Sequence, residues 1–289
     1  MMCYTFNVVI VHRAQTMGMC GGVRRALRLA EQALAEASGA PVYSLGPLAN
    51  NPRVVEELRH RGVVPVEDLS TVSGGTVIFR AHGVPPGVRE QCRARGLRSM
   101  DATCPNVART HRLVADHAAR GAPVIVVGEP GHAEVTGILG NARDARALSS
   151  AAEAESIPLS PSTLVVAQTT FVRSEYYRIC NVLTARRSDI VVEDTTCRST
   201  EQRKESLLLM ALEVDALLVI GARQSANTRW LYQAALTTGK PSWLAESAVE
   251  LPVELFCYER IGITAGASTP DVLIDEIEAR ILAESVDSP

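Results

Sequence analysis

The 289-residue chain has no long apolar run, no strong excess of either charge and no common nucleotide-binding or zinc-binding signature. A bilayer-spanning helix needs about 18 consecutive apolar residues, so no membrane protein is indicated. A net charge of -3 argues against a dedicated nucleic-acid binder, which usually carries a basic surface. Neither a Walker loop (GxxxxGKS/T) nor a GxGxxG turn opening a Rossmann unit is present, which argues against ATP, nicotinamide or flavin binding. The absence of a C-x-x-C pair argues against a zinc ribbon.

The N-terminus also lacks the pattern of a secretory signal. It has a short apolar stretch with no positive charge before it. We therefore expect a cytoplasmic protein, in which structural disulfides are uncommon.

Seven cysteines are present, and four of them, Cys3, Cys92, Cys180 and Cys257, are interpreted as small buried hydrophobic residues. The other three, Cys20, Cys104 and Cys197, are separated by 84 and 93 residues (104 − 20 and 197 − 104). Each precedes a helix-like segment, where a thiolate is favoured, and the last two share the sequence Asp-x-Thr-Cys. From this spacing alone, three ligands of one metal centre and three unrelated core cysteines both remain open.

Apolar runs alternate with amphipathic segments along the chain, a pattern typical of α/β proteins with parallel sheets covered on both faces. The clearest strand candidates are 7–11, 76–79, 123–128, 163–168, 189–194, 215–221 and 260–266. The cysteine spacing favours three α/β units of about 90 residues, an arrangement in which one cysteine from each unit would meet at a pseudo-threefold centre. We predict them at 21–103, at 104–199, and at 1–20 together with 200–289, with the N-terminal strand packing on the C-terminal unit.

Nine short motifs occur in an order that resembles the 4-hydroxy-3-methylbut-2-enyl diphosphate reductase family, from about residue 18 to residue 280. They are GMCGGVRRAL (18–27), GPLANNP (46–52), FRAHGV (79–84), DATCPNVARTH (101–111), GEPGHAEVTG (128–137), AQTT (167–170), EDTTCRSTEQR (193–203), QSANTRWLY (224–232) and GITAGASTP (262–270). That family performs the last step of the methylerythritol phosphate route to isoprenoids, the reductive dehydroxylation of its substrate to isopentenyl and dimethylallyl diphosphate.

The resemblance implies a cofactor and a partner. Cys20, Cys104 and Cys197 match the three thiolates that hold a 4Fe-4S cluster with one open iron site. Because no flavin or nicotinamide motif is present, the electrons are expected from a ferredoxin or flavodoxin.

The resemblance also implies the acid and the substrate contacts. Glu134 matches the proton source, and Thr169 matches the hydroxyl that relays the proton. The residues matched to the diphosphate contacts are Asn50, His82, His132, Ser225, Asn227 and Ser268. The remaining histidines, His12, His60, His111 and His117, are interpreted as satisfied turn or core residues.

Two positions depart from the family pattern. Asn50 stands where a diphosphate-binding histidine is usual, and Ala226 stands where a second serine is usual. An amide still donates a hydrogen bond but carries no charge. These departures leave two alternatives open: a paralogue with the same cluster chemistry on another substrate, and a non-catalytic iron–sulfur sensor. Sensing requires neither Glu134 nor Thr169.

Overall fold

The computed structural model describes residues 9–284, in which strands and helices alternate as predicted. The strands are β1 (Ile10–Arg13), β2 (Val42–Leu45), β3 (Val63–Val66), β4 (Thr76–Phe79), β5 (Arg98–Asp101), β6 (Val124–Val127), β7 (Ala145–Leu148), β8 (Leu164–Ala167), β9 (Val191–Val192), β10 (Ala216–Ile220), β11 (Ser242–Ala245) and β12 (Arg260–Ala265). The α-helices are α1 (Gly21–Glu36), α2 (Pro52–His60), α3 (Pro86–Ala94), α4 (Pro105–Ala118), α5 (Ala133–Leu139), α6 (Ala151–Ser156), α7 (Arg173–Arg186), α8 (Arg198–Met210), α9 (Ala226–Leu236) and α10 (Asp271–Glu284). None of the helices in this part of the chain is long and apolar enough to cross a bilayer.

These strands form three parallel sheets of four strands each. Their orders are β3-β2-β4-β5, β7-β6-β8-β9 and β11-β10-β12-β1. All three share one topology if β10 is counted as the first strand of its sheet. The first strand lies between the second and the third, and the fourth lies beyond the third. The predicted α/β class with three sets of parallel strands is confirmed.

Apolar side chains cover both faces of the central strands. Leu218 and Ile220 of β10 belong to one buried cluster with Ile277, whereas Leu217 and Val219 belong to another. Strands β6 and β8 divide between two clusters in the same alternating way. A strand buried on both faces has no polar side to alternate with, and the sequence shows it as a continuous apolar run.

The described chain divides into two compact units. The larger unit comprises residues 24–48 and 58–197 and holds sheets β3-β2-β4-β5 and β7-β6-β8-β9. The smaller unit comprises the described parts of 1–23, 49–57 and 198–289 and holds the third sheet. Each sheet draws its strands from one of the three predicted ranges, and the boundaries at 21–103, 104–199, and 1–20 with 200–289 stay a prediction.

Candidate active site

Every predicted site residue follows the carboxyl end of a strand, which is where parallel α/β sheets bind ligands. In each sheet, the segments that follow the first, third and fourth strands carry the predicted site residues. The segment after the second strand carries none. The assignments are Asn50 after β2, His82 after β4, Cys104 after β5, His132 and Glu134 after β6, Thr169 after β8, Cys197 after β9, Ser225 and Asn227 after β10, Ser268 after β12 and Cys20 after β1.

The repeated Asp-x-Thr-Cys sequence forms the same turn twice in the larger unit. Asp101 accepts hydrogen bonds from the backbone N–H of Thr103 at 3.0 Å and from its hydroxyl. Asp194 accepts the same pair of bonds from Thr196, again at 3.0 Å from the backbone nitrogen. A carboxylate that binds the backbone two residues further on fixes an Asx turn. Each turn presents the next residue, a cysteine, directly before the first residue of α4 or α8.

An arginine secures each of these carboxylates. Arg89 donates to Asp101 at 2.7 Å, and Arg173 donates to Asp194 at 2.8 Å. Burial raises the pKa of each carboxyl, but hydrogen bonds from the arginine and the threonine outweigh it and lower the pKa overall. Both aspartates therefore stay ionised and keep their turns in place.

The loop of Cys20 in the smaller unit is built differently. Gly18 adopts φ +69°, and a Cβ there would lie 3.0 Å from Ile274 Cδ1, so only glycine fits. Buried Arg203 donates to the carbonyl of Gly18 at 2.6 Å. The N–H of Cys20 donates to the carbonyl of Ala267 at 3.0 Å. This cysteine is therefore anchored to the loop that carries Ser268.

The three predicted ligands are half-buried thiols at helix starts. Cys20 Sγ accepts from the N–H of Val23 at 3.5 Å, and Cys197 Sγ accepts from Asn106 Nδ2 at 3.3 Å. By contrast, Cys92 and Cys180 are buried, and burial raises the pKa of both thiols, that of Cys180 to about 11.

This donor set fits an iron–sulfur group, which is held by cysteine thiolates. No three His, Cys, Asp or Glu side chains within residues 9–284 stand close enough to hold a metal ion. That finding bears on single-ion sites, because a cluster of several irons spreads its ligands further apart.

Two other cysteines depart from the expectation or lie beyond it. Cys257 is half-buried and disulfide-bonded, so the interpretation of a free buried residue is wrong there. Cys3 lies outside the described residues.

Glu134 is the most deeply buried ionisable group of the site, with 1% of its surface exposed. It lies in the first turn of α5 rather than in an open loop. Thr169 donates from its backbone nitrogen to Glu134 Oε1 at 2.6 Å and from its hydroxyl to Oε2 at 3.0 Å. Burial raises the pKa of Glu134 to about 7, although the two bonds from Thr169 act to lower it. The carboxyl group therefore exchanges a proton near neutral pH.

One backbone bond ties this pair to a candidate ligand. The carbonyl oxygen of Thr169 accepts from the N–H of Cys197 at 2.7 Å. The carbonyl of Ala81, next to His82, accepts from the N–H of Cys104 at 2.9 Å. Both cysteines of the larger unit are thus joined to loops that carry predicted site residues.

His82 and His132 lie side by side, with ring centroids 5.3 Å apart and an interplanar angle of 84°. Burial, then His132, then Arg80 lower the pKa of His82 to about 3. Burial also lowers the pKa of His132, assisted by Arg80 and opposed by Glu129. His132 Nδ1 accepts from the N–H of Glu134 at 3.2 Å, which leaves the proton of the neutral ring on Nε2. The structure thus brings together two neutral imidazoles beside the acid.

Hydrogen bonds link three of the four predicted contacts of the smaller unit, Asn50, Asn227 and Ser268, through the Ser268 loop. Ser268 Oγ donates to the carbonyl of Asn50 at 3.2 Å, and Asn227 Oδ1 accepts from the N–H of Ala267 at 2.9 Å. Ser225 caps α9 by accepting from the N–H of Thr228 at 3.4 Å. Hydroxyls, amides and a helix N-terminus suit an anion without an ionic partner.

Three residues near the site were not predicted from sequence: Asn106, Arg80 and His111. Asn106 donates to Cys197 Sγ, and its position directly after Cys104 and Pro105 is the signal that pointed to it. Arg80 follows β4, two residues before His82, and a lone arginine in that position has no distinctive pattern.

His111 is buried as expected, with 8% of its surface exposed, but it is not satisfied. Its Nε2 has no partner among the described residues. A Cβ on Gly83 would lie 2.8 Å from His111 Cε1, and one on Gly137 would lie 3.3 Å away. The ring is therefore packed between the turn of His82 and the helix of Glu134, an arrangement that depends on contacts distant in sequence.

Comparisons with known proteins identify the family of the chain. The family model described as LytB protein matches residues 11–282. The 4-hydroxy-3-methylbut-2-enyl diphosphate reductase of Treponema denticola is 39% identical over 290 residues, covering 95% of this chain and 99% of that protein. The protein of the same name from Aquifex aeolicus is 38% identical, with coverages of 93% and 94%.

Solved structures give the same result. One described as (E)-4-hydroxy-3-methyl-but-2-enyl diphosphate reductase, the terminal enzyme of the non-mevalonate pathway, is 36% identical with a TM-score of 0.78, covering 95% of this chain and 99% of that one. The E-1-hydroxy-2-methyl-but-2-enyl-4-diphosphate reductase of Plasmodium falciparum is 25% identical with a TM-score of 0.86, covering 94% and 87%. On the family match and these identities, the chain belongs to the LytB family.

Proposed function

We propose that this chain is a 4-hydroxy-3-methylbut-2-enyl diphosphate reductase. The reaction takes up two electrons and two protons, breaks the C–O bond of the allylic alcohol, and releases water with isopentenyl and dimethylallyl diphosphate. The observation that carries the proposal is the buried Glu134–Thr169 pair, whose loop is bonded to Cys197. A proton source beside a candidate cluster ligand is what a reductive dehydroxylation requires.

Cys20, Cys104 and Cys197 are the proposed ligands of a 4Fe-4S cluster, because each is a half-buried thiol directly before a helix. Held by these three thiolates, such a group would supply the two electrons one at a time.

Glu134 holds the proton that turns the departing hydroxyl into water. Its Oε1 is occupied by the N–H of Thr169, so the proton resides on Oε2. A protonated Oε2 donates to the Thr169 hydroxyl, which then directs its own hydrogen to the substrate alcohol. Complete burial keeps bulk water away and holds the pKa of the acid at about 7.

Imidazole, hydroxyl and amide groups bind the diphosphate. His132 offers Nε2–H, since its Nδ1 is already an acceptor, and His82 offers a second neutral imidazole. Ser225, Asn227, Ser268 and Asn50 contribute hydroxyl and amide donors.

Two further assignments complete the proposal. The electron donor is a ferredoxin or a flavodoxin, since the sequence has no nicotinamide or flavin motif. The enzyme acts in the cytoplasm, where cysteine thiols stay reduced and available to iron.

The test is anaerobic turnover of 4-hydroxy-3-methylbut-2-enyl diphosphate by protein of confirmed iron and sulfide content, with a strong chemical reductant. We expect both isomeric products. Iron and sulfide should be lost in Cys104→Ala and Cys197→Ala but kept in Cys92→Ala, because Cys92 is a buried core thiol. A cluster-loaded protein that forms no product would contradict the proposed substrate.

A second candidate function is a paralogue that applies the same chemistry to another substrate. It is favoured by Asn50, an exposed amide where the family has a histidine, and by Ala226 at the first position of α9. Turnover of a different allylic alcohol, with none of the ordinary diphosphate, would favour this candidate.

A further inference from the structure

Arg80 is a positively charged group of the larger unit that the reaction described above does not use. It follows β4, and its carbonyl accepts from the N–H of Gly83 at 3.0 Å, which closes the turn carrying His82. The guanidinium is packed against the backbone of Gly46, where φ is +72° and a Cβ would collide with Nη1. A side chain held this closely by its surroundings is fixed in position rather than free in solvent.

The charge of Arg80 has no counter-ion at bonding distance within the part of the chain that the structure describes. Its Nε is buried and without a hydrogen-bond partner. Burial lowers the pKa of the guanidinium, while Glu67 acts on it through space in the opposite direction. An unpaired, partly buried charge is costly, so a protein that keeps one usually has a use for it.

The surroundings of Arg80 indicate what that use is. Its charge acts on both His82 and His132 and contributes to keeping the two rings neutral. Neutral imidazoles give a diphosphate hydrogen bonds but no ionic attraction. Asn50 is also uncharged, so the assigned contacts of this chain provide little positive charge for a polyanion.

We propose that Arg80 binds the substrate diphosphate and supplies the ionic attraction that the neutral contacts lack. The inference rests on the proposed function for the identity of the substrate, but not for the binding of a diphosphate group. The planar guanidinium presents several N–H donors in a fork that matches phosphate oxygens. Lysine retains the charge but loses this fork.

The experiment compares wild type, Arg80→Gln and Arg80→Lys in the anaerobic, cluster-loaded enzyme. Inorganic pyrophosphate binding is measured by calorimetry, and kcat and KM are measured with 4-hydroxy-3-methylbut-2-enyl diphosphate. Arg80→Gln should weaken pyrophosphate binding and raise KM by about tenfold to a hundredfold, with kcat changed less than about threefold. Arg80→Lys should recover part of the loss. Raising the salt concentration should weaken pyrophosphate binding more in wild type than in Arg80→Gln.

Arg178→Gln is the matched control, because it removes one positive charge from the same unit at an exposed pair with Glu175. It should leave pyrophosphate affinity unchanged. Pyrophosphate binding by Arg80→Gln at wild-type strength would overturn the proposal, as would equal losses in Arg80→Gln and Arg80→Lys with no change in salt dependence. If Arg80→Gln does not fold, the proposal is tested by the pyrophosphate affinity of Arg80→Lys and by the salt dependence of pyrophosphate binding in wild type.

Failure of the proposed function gives a different pattern. A wild type that binds pyrophosphate through Arg80 but does not reduce the allylic substrate would remove the substrate assignment and leave Arg80 in place. Turnover of the allylic substrate with a KM that does not depend on Arg80 would keep the substrate assignment and remove Arg80 from diphosphate binding.

Discussion

The site residues of the two units use different chemistry. In the larger unit they are ionisable and deeply packed: Glu134 has its pKa raised to about 7, and His82 and His132 are held neutral. In the smaller unit the predicted diphosphate contacts are hydroxyls and amides, and hydrogen bonds between side chains and the backbone link Asn50 and Asn227 to the Ser268 loop. The difference teaches that a proton donor needs burial to shift its pKa, whereas hydroxyl and amide groups donate to an anion without any pKa shift.

The substitution that tests the difference between the two units most strongly is Glu134→Gln. The amide keeps the shape and the bond from the Thr169 N–H but holds no transferable proton. We expect kcat to fall by about a thousandfold. Iron content and pyrophosphate affinity should stay unchanged, as measured by iron analysis and calorimetry. The exposed Glu155→Gln in α6 serves as control. Substantial residual turnover would remove Glu134 from the role.

Substitution of Thr169 is a second test of proton transfer in the larger unit. Thr169→Ala removes the hydroxyl that bonds Glu134 Oε2 but retains the backbone bond to Oε1. We expect kcat to fall by about tenfold to a hundredfold, and Thr169→Ser to recover most of it, in steady-state assays. The pKa of Glu134 should rise further in Thr169→Ala, because a bond that lowers it is lost. Equal activity in the Ala and Ser variants would exclude the relay.

Substitutions at the predicted diphosphate contacts of the smaller unit should change KM rather than kcat. Ser268→Ala removes one hydroxyl donor beside Asn50. The loss of one neutral hydrogen bond is worth about 1 kcal/mol, or roughly fivefold in KM. Initial rates across substrate concentrations separate the two parameters. A large fall in kcat at constant KM would show that the hydroxyl acts in the chemical step and would break the comparison.

Asn50→His should produce the smallest change, and in the favourable direction. Because position 50 is exposed, a histidine that becomes protonated beside the diphosphate adds an ionic bond worth about 0.5–1 kcal/mol, and we expect KM to fall by about twofold to fivefold. The assay is turnover of the ordinary substrate, with the exposed Asn181→His in α7 as the control. No improvement would indicate that the pocket is adapted to another ligand and would favour the paralogue.

Four of the strands predicted from sequence are buried on both faces. Strands β4, β6, β8 and β10 consist entirely of buried residues and coincide closely with the predicted runs. The central strand β2 and the edge strand β5 were missed, and so were the edge strands β3, β7 and β11. The last three are half-exposed, β3 contains Pro65, and none of them has a continuous apolar pattern. Their place in the sheet comes from pairing with β2, β6 and β10, which sequence alone does not show.

The residues of the site also divide into those that could be predicted from sequence and those that could not. Cysteines in repeated Asp-x-Thr-Cys turns have a local cause, since the aspartate and threonine that shape the turn are neighbours in sequence. The contacts of Arg80 with Gly46, and of His111 with Gly137, join segments that are distant along the chain. The raised pKa of Glu134 also results from burial by the whole fold. Features of this second kind become visible only in three dimensions.

The most direct test of this account is the protonation state of Glu134. Difference infrared spectroscopy of the anaerobic enzyme across pH, with Glu134→Gln as the blank, reports the carboxyl group itself. Because burial raises the pKa, the acid should be protonated below pH 7 and ionise as pH rises through about 7. A carboxyl group that is already ionised by pH 5.5 would contradict the account, since Glu134 could not then be the proton source at neutral pH.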